Sequence, residues 1–351
     1  GEFDQCLPVM HSIKKNTPNA FILVTFFSPS GMQHFEKRTH PVDKALYLPF
    51  DTKLNAHIFI NKAKPKLAVF VKYEFWPNFI LECQASKTKL ISISTLLRKN
   101  QIYFKSYGGF FARILKSIDH FFVQNEETKF LLESIGITHV EVSGDTRYDK
   151  VLQLKHSSIS TDSKLSNFTT KGPVLIAGSS WEEEEKIIKK LLESNTESKV
   201  IIAPHNINRA NIKRVETLLD QPAVRYTKFN DQHDERVLIL DTIGHLSSAY
   251  QYADYALIGG GFSGSLHNIL EAAAFGLPVF FGPHHEKFPE AQSFIDEGIG
   301  FVVENAGQLS EKINALGSQE ELKQNIEAFM QSQAGATDKI VNHSFIKDIL
   351  K

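Results

Sequence analysis

The 351-residue chain is short of several things, and each shortage excludes something. It has two cysteines, Cys6 and Cys83. They are too few for a disulfide framework or a thiolate metal centre, which fits a reducing compartment. No apolar run reaches the length of about 18 residues that a spanning helix needs. Net charge is −1, so the total points to no partner. The halves differ, however. Residues 1–152 carry 20 Lys/Arg against 14 Asp/Glu, a net of +6, and the remainder carries −7. Such a split suggests that the first half meets something anionic; clustered surface charge is the plain alternative. The chain begins Gly1-Glu2-Phe3 without methionine, so further residues are expected upstream.

What is present is a β-α rhythm. "AFILVTFF" (20–27), "LAVFV" (67–71), "KLISIS" (89–94) and "HFFVQ" (120–124) read as buried strands. Amphipathic stretches at 51–63 and 125–135 read as helices between them. A Ser/Thr/Lys-rich stretch, 153–172, reads as a linker. A second series follows in "PVLIAGSS" (173–180), "KVIIAPH" (199–205), "RVLILD" (236–241), "YALIGG" (255–260) and "LPVFFGP" (277–283). The expectation is α/β: a first domain over 1–152, a second over 173–325 and a helical segment over 326–351. Both domains would be doubly wound and Rossmann-like, facing across a cleft that binds ligand at strand carboxyl ends.

Gly259-x-Gly261-x-x-Gly264 matches the dinucleotide fingerprint, but it lies in the fourth strand of its domain. The next strand ends without a carboxylate until Glu286. Nicotinamide or flavin binding therefore loses to a simpler reading. In it, Gly260, Gly261 and Ser263 shape a turn that admits phosphate to a following helix N-terminus. Asn268 and Glu271 would share a face of that helix, with Glu271 placed for ribose hydroxyls. A tight turn and a helix-favouring Glu271 remain the alternative. Ser179, Ser180, His205, Asp241, Gly244 and His245 stand at the ends of other strands of the same domain and join the ligand reading; a surface or core histidine is the plain alternative for His205 and His245.

In the first half, Lys72, Glu74 and Trp76 follow a strand. There a carboxylate can be held in a tuned state, or a surface turn can pack its Trp. From Cys83 to Ile118 no acid occurs, but seven Lys/Arg do. Arg98, Lys99, Lys105, Arg113 and Lys116 interleave with aromatics. The mixture suits an anionic membrane surface or phosphorylated lipid, single-stranded nucleic acid, or an amphipathic helix with a basic face.

In order along the chain stand "GEF" (1–3), "SPSG" (28–31), "YLPFD" (47–51), "EFWPN" (74–78), "GDTRYD" (144–149) and "AGSSWEEEE" (177–185). "APHNINR" (203–209), "DTIGHL" (241–246) and "HNILEAAAFGLPV" (267–279) follow. Together they resemble the 3-deoxy-D-manno-octulosonic acid (Kdo) transferases, glycosyltransferases of GT-B architecture. The resemblance implies inverting, metal-independent transfer of Kdo from CMP-Kdo to the lipid A precursor, without cofactor. It implies the cytoplasmic face of a bacterial inner membrane, an anionic membrane surface as partner and an anchor upstream. No nucleic-acid partner is implied, and oligomeric state is not legible.

By the same resemblance Glu2 is the catalytic base and Arg147 a transition-state cation, with Lys72 and Glu74 beside them. Nucleotide contacts fall on Pro204, His205, Ile243, Gly244, His245, Asn268, Ile269, Leu270 and Glu271. The sequence departs from the family where Lys72 replaces a Glu and where Pro204-His205-Asn206 replaces Pro-Arg-His. It departs again where "STLLR", ending at Arg98, replaces "NARLS". Two competing readings stay open: another GT-B enzyme using a UDP-sugar, as transferase or epimerase, and a non-catalytic protein that binds anionic lipid.

Overall fold

Parallel pairing dominates the protein. The computed structural model describes residues 2–36, 39–157, 162–170, 172–194, 198–230 and 232–350. It divides into one unit of Gly1–Lys150 with Gln333–Lys351 and another of Val151–Ser332.

In the first unit, β1 (Leu23–Phe26) pairs with β2 (Lys44–Tyr47). A four-stranded sheet follows in sequential order: β3 (Leu67–Val71), β4 (Lys89–Thr95), β5 (His120–Val123) and β6 (Val140–Val142). The expected strands are all present. β2 and β6 are additions, too short and too polar to stand out as apolar runs. Helices connect the parallel strands, as parallel pairing requires. One is Lys53–Ala63, where the 51–63 pattern placed it, capped by the Thr52 side chain on Asn55 N–H. Phe121 and Phe122 are fully buried on opposite faces of β5. Each such side chain contributes about 1.5–3 kcal/mol of burial.

The second unit is one seven-stranded parallel sheet. Its strands are β7 (Val174–Ser180), β8 (Lys199–Pro204), β9 (Ala223–Arg225), β10 (Val237–Ile239), β11 (Tyr255–Ile258), β12 (Val279–Phe281) and β13 (Gly300–Val302). Their order is β13-β12-β11-β7-β8-β10-β9. Strands β7, β8, β10, β11 and β12 are almost wholly buried, which is why their sequences are continuous apolar runs rather than alternating ones.

Two boundaries differ from the sequence reading. The stretch 153–172 is largely helical where described, with helices Thr146–Ser157 and Ser163–Phe168; residues 158–161 and 171 lie outside the described residues. The final segment is also divided. Helix Gln319–Ser332 belongs to the second unit, and the chain from Gln333 returns to the first. Specific bonds cause that return. The Asp149 carboxylate accepts the N–H groups of Gly335 and Thr337, each at 2.6 Å. Ile340, Val341 and Ile346 then pack with Val9, Ile13, Ile91 and Phe122. Among the described residues no helix is long and apolar enough to cross a membrane.

Candidate functional site

Strand order in the second sheet reverses between β7 and β11, because the chain runs from β7 outward through β8 and later returns to β7's other edge. The carboxyl ends flanking such a reversal splay apart and leave a crevice for ligand. The turns there are tightly built. Ser179 takes the left-handed conformation at φ +51°. A Cβ on Gly259 would lie 2.1 Å from the Ser179 carbonyl oxygen, and one on Gly261 would lie 2.4 Å from Gly282 N. These glycines are required by backbone passing backbone. The Gly260 N–H is donated to Glu184 Oε1 at 2.9 Å, and Ser263 Oγ donates to the Gly260 carbonyl.

The next helix begins only at Leu270 and is five residues long, with Ile269 at its cap. The expected helix N-terminus therefore does not follow directly on the glycine turn, and Asn268 lies ahead of the helix. Ile269 and Leu270 are buried in the core. Asn268 is nevertheless brought to Glu271. Its Nδ2 donates to Glu271 Oε1 at 3.0 Å, while Ser247 Oγ donates to Oε2 at 2.6 Å. A carboxylate can accept about four hydrogen bonds. The other lone pairs of Glu271 suit a vicinal diol such as ribose.

Around the same strand ends an aromatic group assembles. Trp181 follows β7 and stacks on His205, which follows β8, at 4.4 Å between ring centroids and 19° between planes. His205 stacks on His267 at 4.6 Å, and Trp181 Nε1 donates to His267 Nε2 at 3.1 Å. Burial, then the neighbouring His205, push His267 down to about 4, and burial lowers His205 as well. Both rings are therefore neutral at pH 7 and present flat faces. Trp181, His267, Ser247 and Glu184 were not singled out from the sequence. The signal for Trp181 was its place right after a strand, inside the run "SSWEEEE".

The remaining residues predicted for this site sit as follows. Ser180 Oγ donates to Glu185 Oε1 at 3.3 Å, and Pro204 ends β8. Ile243 is 77% exposed at a loop tip beside Gly244, whose φ is +89°. The His245 ring lies 5.0 Å from that of Tyr226.

In the first unit, two quoted motifs meet. Asp51 of "YLPFD" accepts the N–H groups of Asn78, the last residue of "EFWPN", and of Phe79 just after it, closing the N-terminus of helix Pro77–Ala85. Lys72, just past β3, is held at φ +57°. Glu74 follows. Burial raises its carboxyl above the ordinary range, and repulsion from Glu2 adds to that. Glu2, in the first turn of helix Glu2–Asn16, is thus an electrostatic neighbour of Glu74. Arg147, the transition-state cation of the resemblance, is paired within its own turn. Its Nε and a terminal nitrogen both bond Asp145 Oδ2, at 2.9 and 2.6 Å.

The basic stretch splits by face. Arg98, Lys99, Lys105, Arg113 and Lys116 are exposed, with Tyr107 and Phe110. Tyr103 and Phe104 instead pack on the core. A patch unforeseen from sequence gathers around Phe27. There Phe27 packs tilted against Trp76 at 4.9 Å and edge-on to Phe50 at 6.1 Å, with Phe27 and Phe50 52% and 74% exposed.

Residues 1–150 match the family model described as 3-deoxy-D-manno-octulosonic-acid transferase (kdotransferase). A 3-deoxy-D-manno-octulosonic acid transferase of Aquifex aeolicus is 27% identical over 326 residues, covering 90% of this chain and 83% of that one. The Rickettsia bellii protein of the same name is 27% identical over 299 residues, covering 82% and 70%. Among solved structures, a UDP-N-acetylglucosamine 2-epimerase from Rickettsia bellii aligns with a TM-score of 0.59 at 15% identity. The alignment covers 99% of this chain and 95% of that one, a likeness of fold.

Proposed function

We propose that this chain, a glycosyltransferase allied to the Kdo transferases, moves Kdo from CMP-Kdo to a lipid A precursor with inversion and without a cofactor. The second unit takes the donor. The observation that carries this is Glu271, held at the strand-order reversal by Ser247 and Asn268 with acceptor capacity left for a ribose. The neutral rings of Trp181, His205 and His267 supply stacking surface beside it for a base or sugar.

The first unit takes the acceptor. Exposed Arg98, Lys99, Lys105, Arg113 and Lys116 suit phosphate groups, and the exposed Phe27 and Phe50 suit acyl chains. In this reading the enzyme works at an anionic membrane surface, the cytoplasmic face of the inner membrane, and the exposed basic and aromatic side chains support it. In the reaction an acceptor hydroxyl oxygen bonds to the anomeric carbon as the bond from that carbon to the CMP phosphate breaks. The hydroxyl proton goes to Glu2. Glu74 is its electrostatic neighbour, its carboxyl raised by burial and then by repulsion from Glu2.

Thermal unfolding with CMP, UDP and ADP tests the donor assignment. Stabilisation by CMP above the other two is expected. Stabilisation by UDP alone would move the chain to the UDP-sugar reading that its structural neighbours share.

A further inference from the structure

Away from the site above, three ligand-type side chains from distant parts of the sequence meet at one edge of the β3–β6 sheet. His120 opens β5. Glu141 lies mid-way along β6, paired with Phe122. Side chains two apart on a strand share a face, so His120, Phe122 and Glu141 point the same way. His343 joins them from the junction of the helices Ala336–Asn342 and Ser344–Leu350. Its ring lies 4.5 Å from that of His120 and 5.3 Å from that of Phe122. One ligand atom from each of His120, Glu141 and His343 lies within 4.8 Å of the other two.

We propose that His120, Glu141 and His343 bind one divalent transition-metal ion, zinc by ligand type, which clamps the returning C-terminal segment to the sheet edge. Two imidazoles and one carboxylate are a common set for such ions, with water completing the coordination. The spacing fits. Bonds of about 2.0–2.1 Å at tetrahedral angles put ligand atoms about 3.3 Å apart. His343 Nε2 and Glu141 Oε2 are 3.6 Å apart, too long for a good hydrogen bond and close to that edge. The other two separations, within 4.8 Å, would have to shorten to about 3.3 Å on binding.

The local hydrogen bonding leaves a place for the ion. Nε2 of His120 is buried and has no hydrogen-bond partner among the described residues. A buried polar atom without a partner costs about 1–3 kcal/mol, and a metal bond would remove that cost. His343 Nδ1 accepts the Phe345 N–H at 3.3 Å. Loading Nε2 moves the ring proton to Nδ1, so this long bond is given up and the Phe345 N–H turns to another acceptor or water.

The ion would add to an apolar seam already present, in which Ile340, Val341 and Ile346 pack with Val9, Ile13, Ile91, Ile93 and Phe122. Its role is to fix the segment and not to take part in the transfer chemistry. The proposal does not depend on the donor or acceptor assignments.

The full chain, stripped with chelator and dialysed, is titrated with zinc chloride by calorimetry and with cobalt(II) by visible absorption. One ion per chain is expected, with a cobalt spectrum of histidine-carboxylate type and a zinc-dependent rise in the unfolding midpoint. Glu141→Gln and His343→Asn should each weaken binding by about tenfold or more. His57→Asn, at the separate His57–Glu82 pair, should leave it unchanged. Circular dichroism in chelator establishes that the variants fold. If either does not, the cobalt titration of the unsubstituted chain decides. No stoichiometric binding, or equal binding by folded variants and the unsubstituted chain, overturns the proposal.

Discussion

Glu184 accepts the Gly260 N–H at 2.9 Å while its other oxygen accepts the Trp181 N–H at 3.0 Å. One carboxylate thus joins the turn after β7 to the glycine turn after β11. The second contact is a residue in the first helical turn reaching back to the donor ahead of the helix. Glu184→Ala leaves the buried Gly260 donor unpaired. A loss of about 1–3 kcal/mol is expected, read as a lower urea midpoint at unchanged slope. Burial holds the Glu184 carboxyl above its ordinary 4.5. The folded protein therefore keeps this proton where the unfolded chain has released it. That contribution is full below the unfolded value and is lost as pH rises through the folded one. Glu184→Gln should flatten this decline, measured as urea midpoints on either side of pH 4.5.

Gly259→Ala tests what the glycine turn is for. The new Cβ would meet the Ser179 carbonyl oxygen at 2.1 Å. Overpacking of this kind costs about 1–3 kcal/mol or more. The unfolding midpoint should fall by a similar amount with and without CMP, because the turn is structural first.

Glu271→Gln should weaken CMP by about tenfold or more, since hydrogen bonds to a charged partner are worth about 1.5–3 kcal/mol. Calorimetric titration with CMP reads it. Ser247→Ala, which frees one carboxylate oxygen, should have a smaller effect of the same sign.

Glu2→Gln should lower turnover by about 10²–10⁴ with CMP affinity unchanged. It should also let the Glu74 carboxyl fall part of the way back, because repulsion from Glu2 is removed while burial, the larger cause, stays. Single-turnover kinetics and a carboxyl titration by NMR measure the two effects.

Much of this was legible in the sequence. The apolar runs marked β1, β3–β5, β7, β8 and β10–β12, while β2, β6, β9 and β13 went unmarked; a strand buried on both faces has no polar face. The ordered motifs marked a Kdo transferase resemblance that the family match and the relatives bear out. The GT-B expectation is borne out by the parallel sheets and the solved neighbours. Long-range partnership was not legible. Nothing near Glu184 in the sequence says that it takes the Gly260 N–H, and nothing near Arg147 but the proximity of Asp145 says that its charge is paired. Residues such as Trp181 and His267, or His120, Glu141 and His343, become neighbours only through the sheet order and the return of the C-terminal segment. β6, Val-Glu-Val, went unseen because Glu141 interrupts it, whereas the equally short β10 and β12 are wholly apolar.

The central claim is the transfer itself. The chain is incubated with CMP-Kdo and a lipid A precursor in anionic vesicles, and the lipid product is weighed by mass spectrometry. The account predicts a precursor heavier by one or more Kdo units, with one CMP released per Kdo added and product from Glu2→Gln forming about 10²–10⁴ times more slowly. An unchanged lipid, together with turnover of a UDP-sugar by the same preparation, would contradict it.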